Sequence, residues 1–139
     1  MDGVLVSLVR GKLVVRNRGR GLLSVVSTGI TSIVIDGGEG NDRLIVAPNI
    51  TLNASLYGGA GNDFLQGGAG NDSLDGSSGN DRLFGCKGND LLIGGSGNDV
   101  LRGDPGADSL YGGAGDDLLL GTVGTDWLDG GTGRNRIYA

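Results

Sequence analysis

Residues 58 to 138 read GGAGNDFLQ, GGAGNDSLD, GSSGNDRLF, GCKGNDLLI, GGSGNDVLR, GDPGADSLY, GGAGDDLLL, GTVGTDWLD and GGTGRNRIY without a gap. An earlier copy, GGEGNDRLI, begins at Gly37, so ten nonapeptides share one frame. Positions one and four are glycine in every copy, position six is aspartate in nine and position eight is leucine in nine. Four columns locked in phase mark a repeat architecture in which each unit buries its apolar face only by stacking on its neighbours. Both exceptions, Asn135 and Ile137, fall in the last copy.

Each column has a physical reading. Glycines through the first half of the unit allow positive φ and close backbone approach, so this half is a turn. Positions six to nine alternate their side chains as a short strand, which sends position eight to one face. That face is the predicted interior: Leu44, Leu65, Leu74, Leu83, Leu92, Leu101, Leu110, Leu119 and Leu128 stack as a ladder. One turn plus one strand per unit reverses the chain, so two units, 18 residues, make one coil of a flattened solenoid. The fold class is therefore all-β, a parallel β-roll or β-helix with two short strands per coil.

In this arrangement one edge carries Asp42, Asp63, Asp81, Asp99, Asp117 and Asn135, and the other carries Asp72, Asp90, Asp108 and Asp126. The step from Asp42 to Asp63 is 21 residues, so Asp42 stays on the first edge if residues 46 to 57 form a slightly longer, metal-free half-coil. Stacked carboxylates about 4.8 Å apart repel by roughly 0.9 kcal/mol per pair even in water, and by more where screening is poorer. A ladder of leucines is a small core to set against that repulsion and the entropy of ordering the chain. A hard dication addresses both problems. Glycine-rich turns offer carbonyl oxygens beside each carboxylate, and calcium accepts six to eight oxygens in flexible geometry, whereas magnesium demands a tight octahedron. A turn role alone would let Asp, Asn and Ser interchange at position six; aspartate in nine copies of ten argues for a ligand.

Composition excludes several other classes. Glycine supplies 31 of 139 residues against two prolines, without the period of three that collagen needs. There is no histidine and a single cysteine, Cys86, which removes histidine-based catalysis, multi-cysteine zinc sites and any internal disulfide. No HExxH or GxSxG motif occurs, so the chain is not expected to be an enzyme. The net charge is −5. Residues 1 to 36 hold five Lys/Arg and two acids, while the remainder holds six Lys/Arg and fourteen acids. An acidic repeat region points to cations, not nucleic acid, as partners. No apolar run approaches the roughly 18 residues of a membrane span.

The repeat resembles the RTX (repeats-in-toxin, haemolysin-type) calcium-binding family, whose motif is GGxGxDxUx; the likeness covers residues 37 to 45 and 58 to 138. The resemblance implies ions held between successive turns of one edge by position-six aspartates and turn carbonyls, those of Gly40, Gly61, Gly70, Gly79, Gly88, Gly97, Gly106 and Gly115. Ion-sharing pairs would then be Asp42 with Asp63, Asp63 with Asp81, Asp81 with Asp99 and Asp99 with Asp117 on one edge. Asp72 with Asp90, Asp90 with Asp108 and Asp108 with Asp126 follow on the other, giving about seven strong sites. Asp117 with Asn135 makes a weaker eighth, because a neutral amide donates less charge. Lower affinity is expected towards the C-terminal side, where position five changes to Ala107, Asp116, Thr125 and Arg134. A secreted, extracellular bacterial protein is also implied by the resemblance.

Two regions are expected, residues 1 to 36 as an N-terminal β cap continuing the solenoid and residues 37 to 139 as the β-roll. The cap rests on the apolar runs VLVSLV, KLVV, LLSVV and ITSIVI. Its basic residues Arg10, Lys12, Arg16, Arg18 and Arg20 read as solvated turn charges. Outward strand positions carry Phe64, Phe84, Leu91, Tyr111 and Trp127, among other apolar residues, a surface for protein contact. Two further functions fit the sequence: an adhesin or surface-layer scaffold stiffened by calcium, or the C-terminal tail of a secreted hydrolase. Cys86 is expected to be exposed.

Overall fold

The computed structural model describes residues 29–139 and, further upstream, the strands Leu5–Val9 and Lys12–Arg16 as backbone. Among the described residues fourteen strands follow one another in chain order: β1 (Leu5–Val9), β2 (Lys12–Arg16), β3 (Ser32–Glu39), β4 (Arg43–Ile45), β5 (Ala54–Ala60), β6 (Phe64–Gln66) and β7 (Ser73–Ser78). Then come β8 (Arg82–Phe84), β9 (Leu91–Ser96), β10 (Val100–Pro105), β11 (Ser109–Ala114), β12 (Leu118–Val123), β13 (Trp127–Asp129) and β14 (Arg136–Tyr138). The described residues contain no helix, and so none that could cross a membrane.

The strands form two sheets. One has the order β1-β2-β3-β5-β7-β9-β11-β13, the other β14-β12-β10-β8-β6-β4. From β3 onward consecutive strands thus fall in opposite sheets, as the reversal at every glycine turn requires. All pairings from β2 onward are parallel, and each residue of β7 lies beside the residue 18 further on in β9, as in Leu74 beside Leu92. The chain is a β-solenoid with two nonapeptides per coil. At its start β1 and β2 pair antiparallel, and β2 joins β3 in parallel, Val15 beside Ile35. Of the apolar runs, LLSVV lies outside the described residues, as do the side chains of the five basic residues before Gly29.

Inward positions are six, eight and one. The leucine ladder fills the interior: Leu65, Leu74, Leu83, Leu92, Leu101, Leu110 and Leu119 are wholly inaccessible and Leu44 nearly so. Leu128 only packs against the cluster from the end, because no coil covers it. One member had no counterpart in the sequence reading. Leu56 is also wholly buried and lies between Ile35 and Leu74 in register. Residues 49 to 57, NITLNASLY, are therefore an eleventh unit that keeps asparagine at position five and leucine at position eight but has lost its glycines and aspartate. The insertion that makes the 21-residue step is Val46, Ala47 and Pro48, whose valine is itself buried in the core.

Glycine at position one is required by the turn's interior. A Cβ on Gly67 would stand 2.5 Å from Asp72 Oδ2, and one on Gly112 2.5 Å from Asp117 Oδ2, so the aspartate of each turn occupies the space a side chain would need. Position two is different: Ser77, Cys86, Asp104 and Thr122 all adopt positive φ, 71°, 79°, 68° and 88°. The left-handed region costs a residue with a Cβ about 1–2 kcal/mol, most for a β-branched one. Thr122→Gly should therefore raise stability by about 1 kcal/mol. Leu92→Ala should lower it by about 2–5 kcal/mol, and Leu128→Ala by clearly less. Urea unfolding at saturating calcium reads all three.

Candidate metal centre

The turn that precedes each strand places the position-six aspartate at the solenoid's edge, with its side chain directed inward. Asp42, Asp63, Asp72, Asp81, Asp90, Asp99, Asp108 and Asp117 are all at most 8% exposed. Asp126 and Asn135, which end the two columns, are half-buried. The predicted pairs are brought together. On the first edge the Asp42 N–H donates to Asp63 Oδ1 at 2.7 Å, Asp63 to Asp81 at 2.7 Å, Asp81 to Asp99 at 2.8 Å and Asp99 to Asp117 at 2.9 Å. Asp117 then donates to Asn135 Oδ1 at 2.9 Å. On the second edge Asp72 donates to Asp90, Asp90 to Asp108 and Asp108 to Asp126, at 2.8, 2.8 and 3.0 Å. Ala54 occupies the position before Asp72, where its N–H donates to Asp72 Oδ1 at 2.7 Å but it has no carboxylate to contribute.

One oxygen of each carboxylate from Asp63 onward is thereby used. The other is the telling atom: Oδ2 of Asp42, Asp63, Asp81, Asp90, Asp99, Asp108 and Asp117 is buried with no hydrogen-bond partner. A buried ionised oxygen without a partner is strongly unfavourable. Asp72 differs, because Gly68 N–H donates to its Oδ2 at 2.7 Å.

Backbone oxygens converge on the same turns. The carbonyls of Gly40, Gly61, Gly70, Gly79, Gly88, Gly97, Gly106 and Gly115 each point at the position-four glycine of the next coil on their edge, where a Cβ would collide with them. Among the described residues no hydrogen bond ends on these carbonyls. No three acidic, histidine or cysteine side chains meet as a group among the described residues. Each gap between two stacked aspartates instead offers two carboxylates and free carbonyl oxygens, a donor set made only of oxygen, as calcium prefers.

Burial, reinforced by neighbouring carboxylates, raises the carboxyl of Asp90 to about 7 and that of Asp81 to about 6. Asp42, Asp63, Asp72, Asp99, Asp108 and Asp117 shift the same way, with burial the largest cause.

A second ladder escaped the sequence reading. The N–H of Asn62 donates to Asn41 Oδ1 at 2.8 Å, Asn80 to Asn62 at 2.7 Å, Asn98 to Asn80 at 2.7 Å and Asp116 to Asn98 at 2.8 Å. The other edge repeats it from Asn71 to Asn53 and from Asn89 to Asn71, at 3.0 and 2.9 Å. The prevalence of asparagine at position five was its signal. This ladder points back along the chain while the aspartate ladder points forward, so adjacent residues clamp each coil to both neighbours. Asp116 preserves the contact by accepting the Arg134 N–H at 2.8 Å, but Ala107 ends the series on the second edge because it has no oxygen to offer.

A family model for the RTX calcium-binding nonapeptide repeat matches in four copies, at residues 34–46, 57–92, 84–119 and 120–139. The chain belongs to this family. Its RTX repeats are calcium-binding repeats, and the seven unpartnered carboxylate oxygens and free carbonyls fit that cation. Comparison with curated proteins finds no match. Within the RTX repeats Cys86 is half-buried, not exposed as expected, and its thiol is raised by burial and by Asp104, Asp90 and Asp72.

The carboxyl shifts give the metal-free RTX chain a definite pH response. A folded-state pKa above the unfolded value of 3.8 means that the folded form binds more protons between the two. Stability is then fully present below about pH 4 and is lost as pH rises through the folded values of about 6 and about 7. With chelator present, strand content followed by circular dichroism should grow as pH falls from 8 to 5. Calcium should abolish that dependence, and a chelated chain insensitive to pH across this window would contradict the carboxylates' burial.

Proposed function

We propose that the chain is a non-enzymatic module whose two edges bind calcium in columns and whose folding is driven by that binding. The observation that carries this reading is the row of buried Oδ2 atoms left without partners, with free carbonyls in the same turns. On this reading the ligands are Asp42, Asp63, Asp81, Asp90, Asp99, Asp108 and Asp117, with Asp126 and Asn135 closing the columns. The carbonyls of Gly40, Gly61, Gly70, Gly79, Gly88, Gly97, Gly106 and Gly115 complete the sets. Asp72 would join only by releasing the Gly68 N–H, which makes the start of the second column its weakest carboxylate. Calcium supplies the positive charge that lets these acids remain ionised inside the solenoid.

Folding is expected to be steep in calcium. One site with a dissociation constant near 0.1 mM adds only about 1.4 kcal/mol at 1 mM ion, so many gaps must fill together. Because each inner aspartate borders two gaps, filling one favours the next. Affinities of this order suit the millimolar calcium outside cells, consistent with a secreted bacterial role, while the chain would stay unfolded at low calcium. The antiparallel β1–β2 hairpin, joined to β3, would cap the first coil and protect its edge.

Calcium titration followed by circular dichroism should give a sigmoidal gain of strand structure that magnesium does not reproduce, with calorimetry counting about six strong sites and two weaker ones, at Asp72 with Asp90 and at Asp117 with Asn135. A chelated sample as rich in strand as the calcium form at pH 7 would refute the folding switch. Asp81→Asn should raise the calcium midpoint several-fold and flatten the transition, since it weakens two gaps. Asp126→Asn, bordering one gap at a column's end, should shift it less.

A further inference from the structure

The two outer faces of the solenoid carry opposite charge. On the sheet of β4 to β14, outward positions seven and nine include Arg43, Arg82, Arg102 and Arg136, all exposed, and no acid. On the opposite sheet, from β5 to β13, the same positions include Asp75 and Asp129 with Tyr57, Tyr111 and Trp127, and no lysine or arginine. The three aromatics are 43%, 38% and 64% exposed. We infer that the arginine face of one copy docks on the aspartate and aromatic face of a second copy, so that calcium-loaded chains stack face to face.

Three observations favour a second copy as the occupant. The two faces carry complementary charge, arginines on one and aspartates on the other. Both faces share the coil period of about 4.8 Å, so rows on one copy can meet rows on the other. The arginine face already shows the contact required: the Arg43 guanidinium lies 4.1 Å from the centre of the Phe64 ring, and Tyr57, Tyr111 and Trp127 offer the same partner on the opposing face. Arg102 is engaged by Asp104 at 2.6 Å, which leaves Arg82 and Arg136 as the charges to be met by Asp75 and Asp129.

The surface available sets the strength. Six coils at about 4.8 Å, with strands of three to six residues about 10–20 Å long, give roughly 300–600 Å² per face, about 600–1,200 Å² in total, at or below the lower end of specific interfaces. Association is therefore weak and dependent on concentration. Because the two faces differ, the contact is head-to-tail and does not close on itself, so dimers grow into longer stacks.

Sedimentation velocity of the calcium-loaded chain tests this between about 10 µM and about 1 mM. Growth beyond dimers is expected, weakening about tenfold or more as salt rises from about 0.05 to about 0.5 M. Arg82→Glu with Arg136→Glu should abolish stacking, as should Asp75→Lys with Asp129→Lys, and the four changes together should restore it. Calcium-induced circular dichroism, unchanged in every variant, confirms folding, since all four residues point outward. A folded wild type that stays monomeric throughout overturns the proposal, as does a combined variant that fails to recover. Capture of polyglutamate by a monomeric wild type would assign the arginine face to an acidic polymer and equally exclude the second copy.

Discussion

Everything in this molecule depends on where the position-six carboxylate is put. It lies inside its own turn, against the position-one glycine, with one oxygen accepting an N–H from the adjacent coil and the other facing no protein donor. That placement joins two roles usually kept apart. The first oxygen fixes the register of neighbouring coils, and the second leaves a charge that the protein alone does not satisfy. Cohesion and cation demand are thus properties of one side chain, so the fold cannot acquire its stacking contact without also acquiring its need for positive charge.

The glycines follow from the same constraint. At position one the carboxylate excludes a Cβ, and at position four the carbonyl of the preceding coil does. Position two departs from glycine in four copies, where serine, cysteine, aspartate and threonine adopt positive φ, although a Cβ on Gly59, Gly95, Gly113 or Gly131 would also meet a carbonyl of the preceding coil. A turn that looks uniformly glycine-rich in the sequence therefore contains two kinds of requirement, contact with the carboxylate at position one, and positive φ together with a neighbouring carbonyl at positions two and four.

The sequence made the coil period, the leucine ladder, the two edges and the partners along each edge legible, because each is an arithmetic consequence of nine and eighteen. What it concealed falls where identity and role separate. The unit at residues 49 to 57 had lost every glycine and its aspartate, so a pattern built on those columns passed over it, although Asn53 and Leu56 still perform their ladder roles. The backward-pointing asparagine ladder was hidden because asparagine is an ordinary turn residue, and only geometry reveals what its side-chain oxygen accepts. The protection of Asp72 by Gly68 was likewise invisible, since that repeat is indistinguishable from its neighbours in letters.

The sameness of the two half-coils has a consequence for how such a chain tolerates changes in length. Loss or gain of a single nonapeptide would leave the leucines, carboxylates and glycines in phase, because either half-turn satisfies the same interior template. It would, however, transpose every downstream outward residue to the other side of the molecule, mingling arginines with aspartates. Only paired losses or gains conserve both interior and exterior. Copy number is thus nearly neutral for the core while its parity governs the surface.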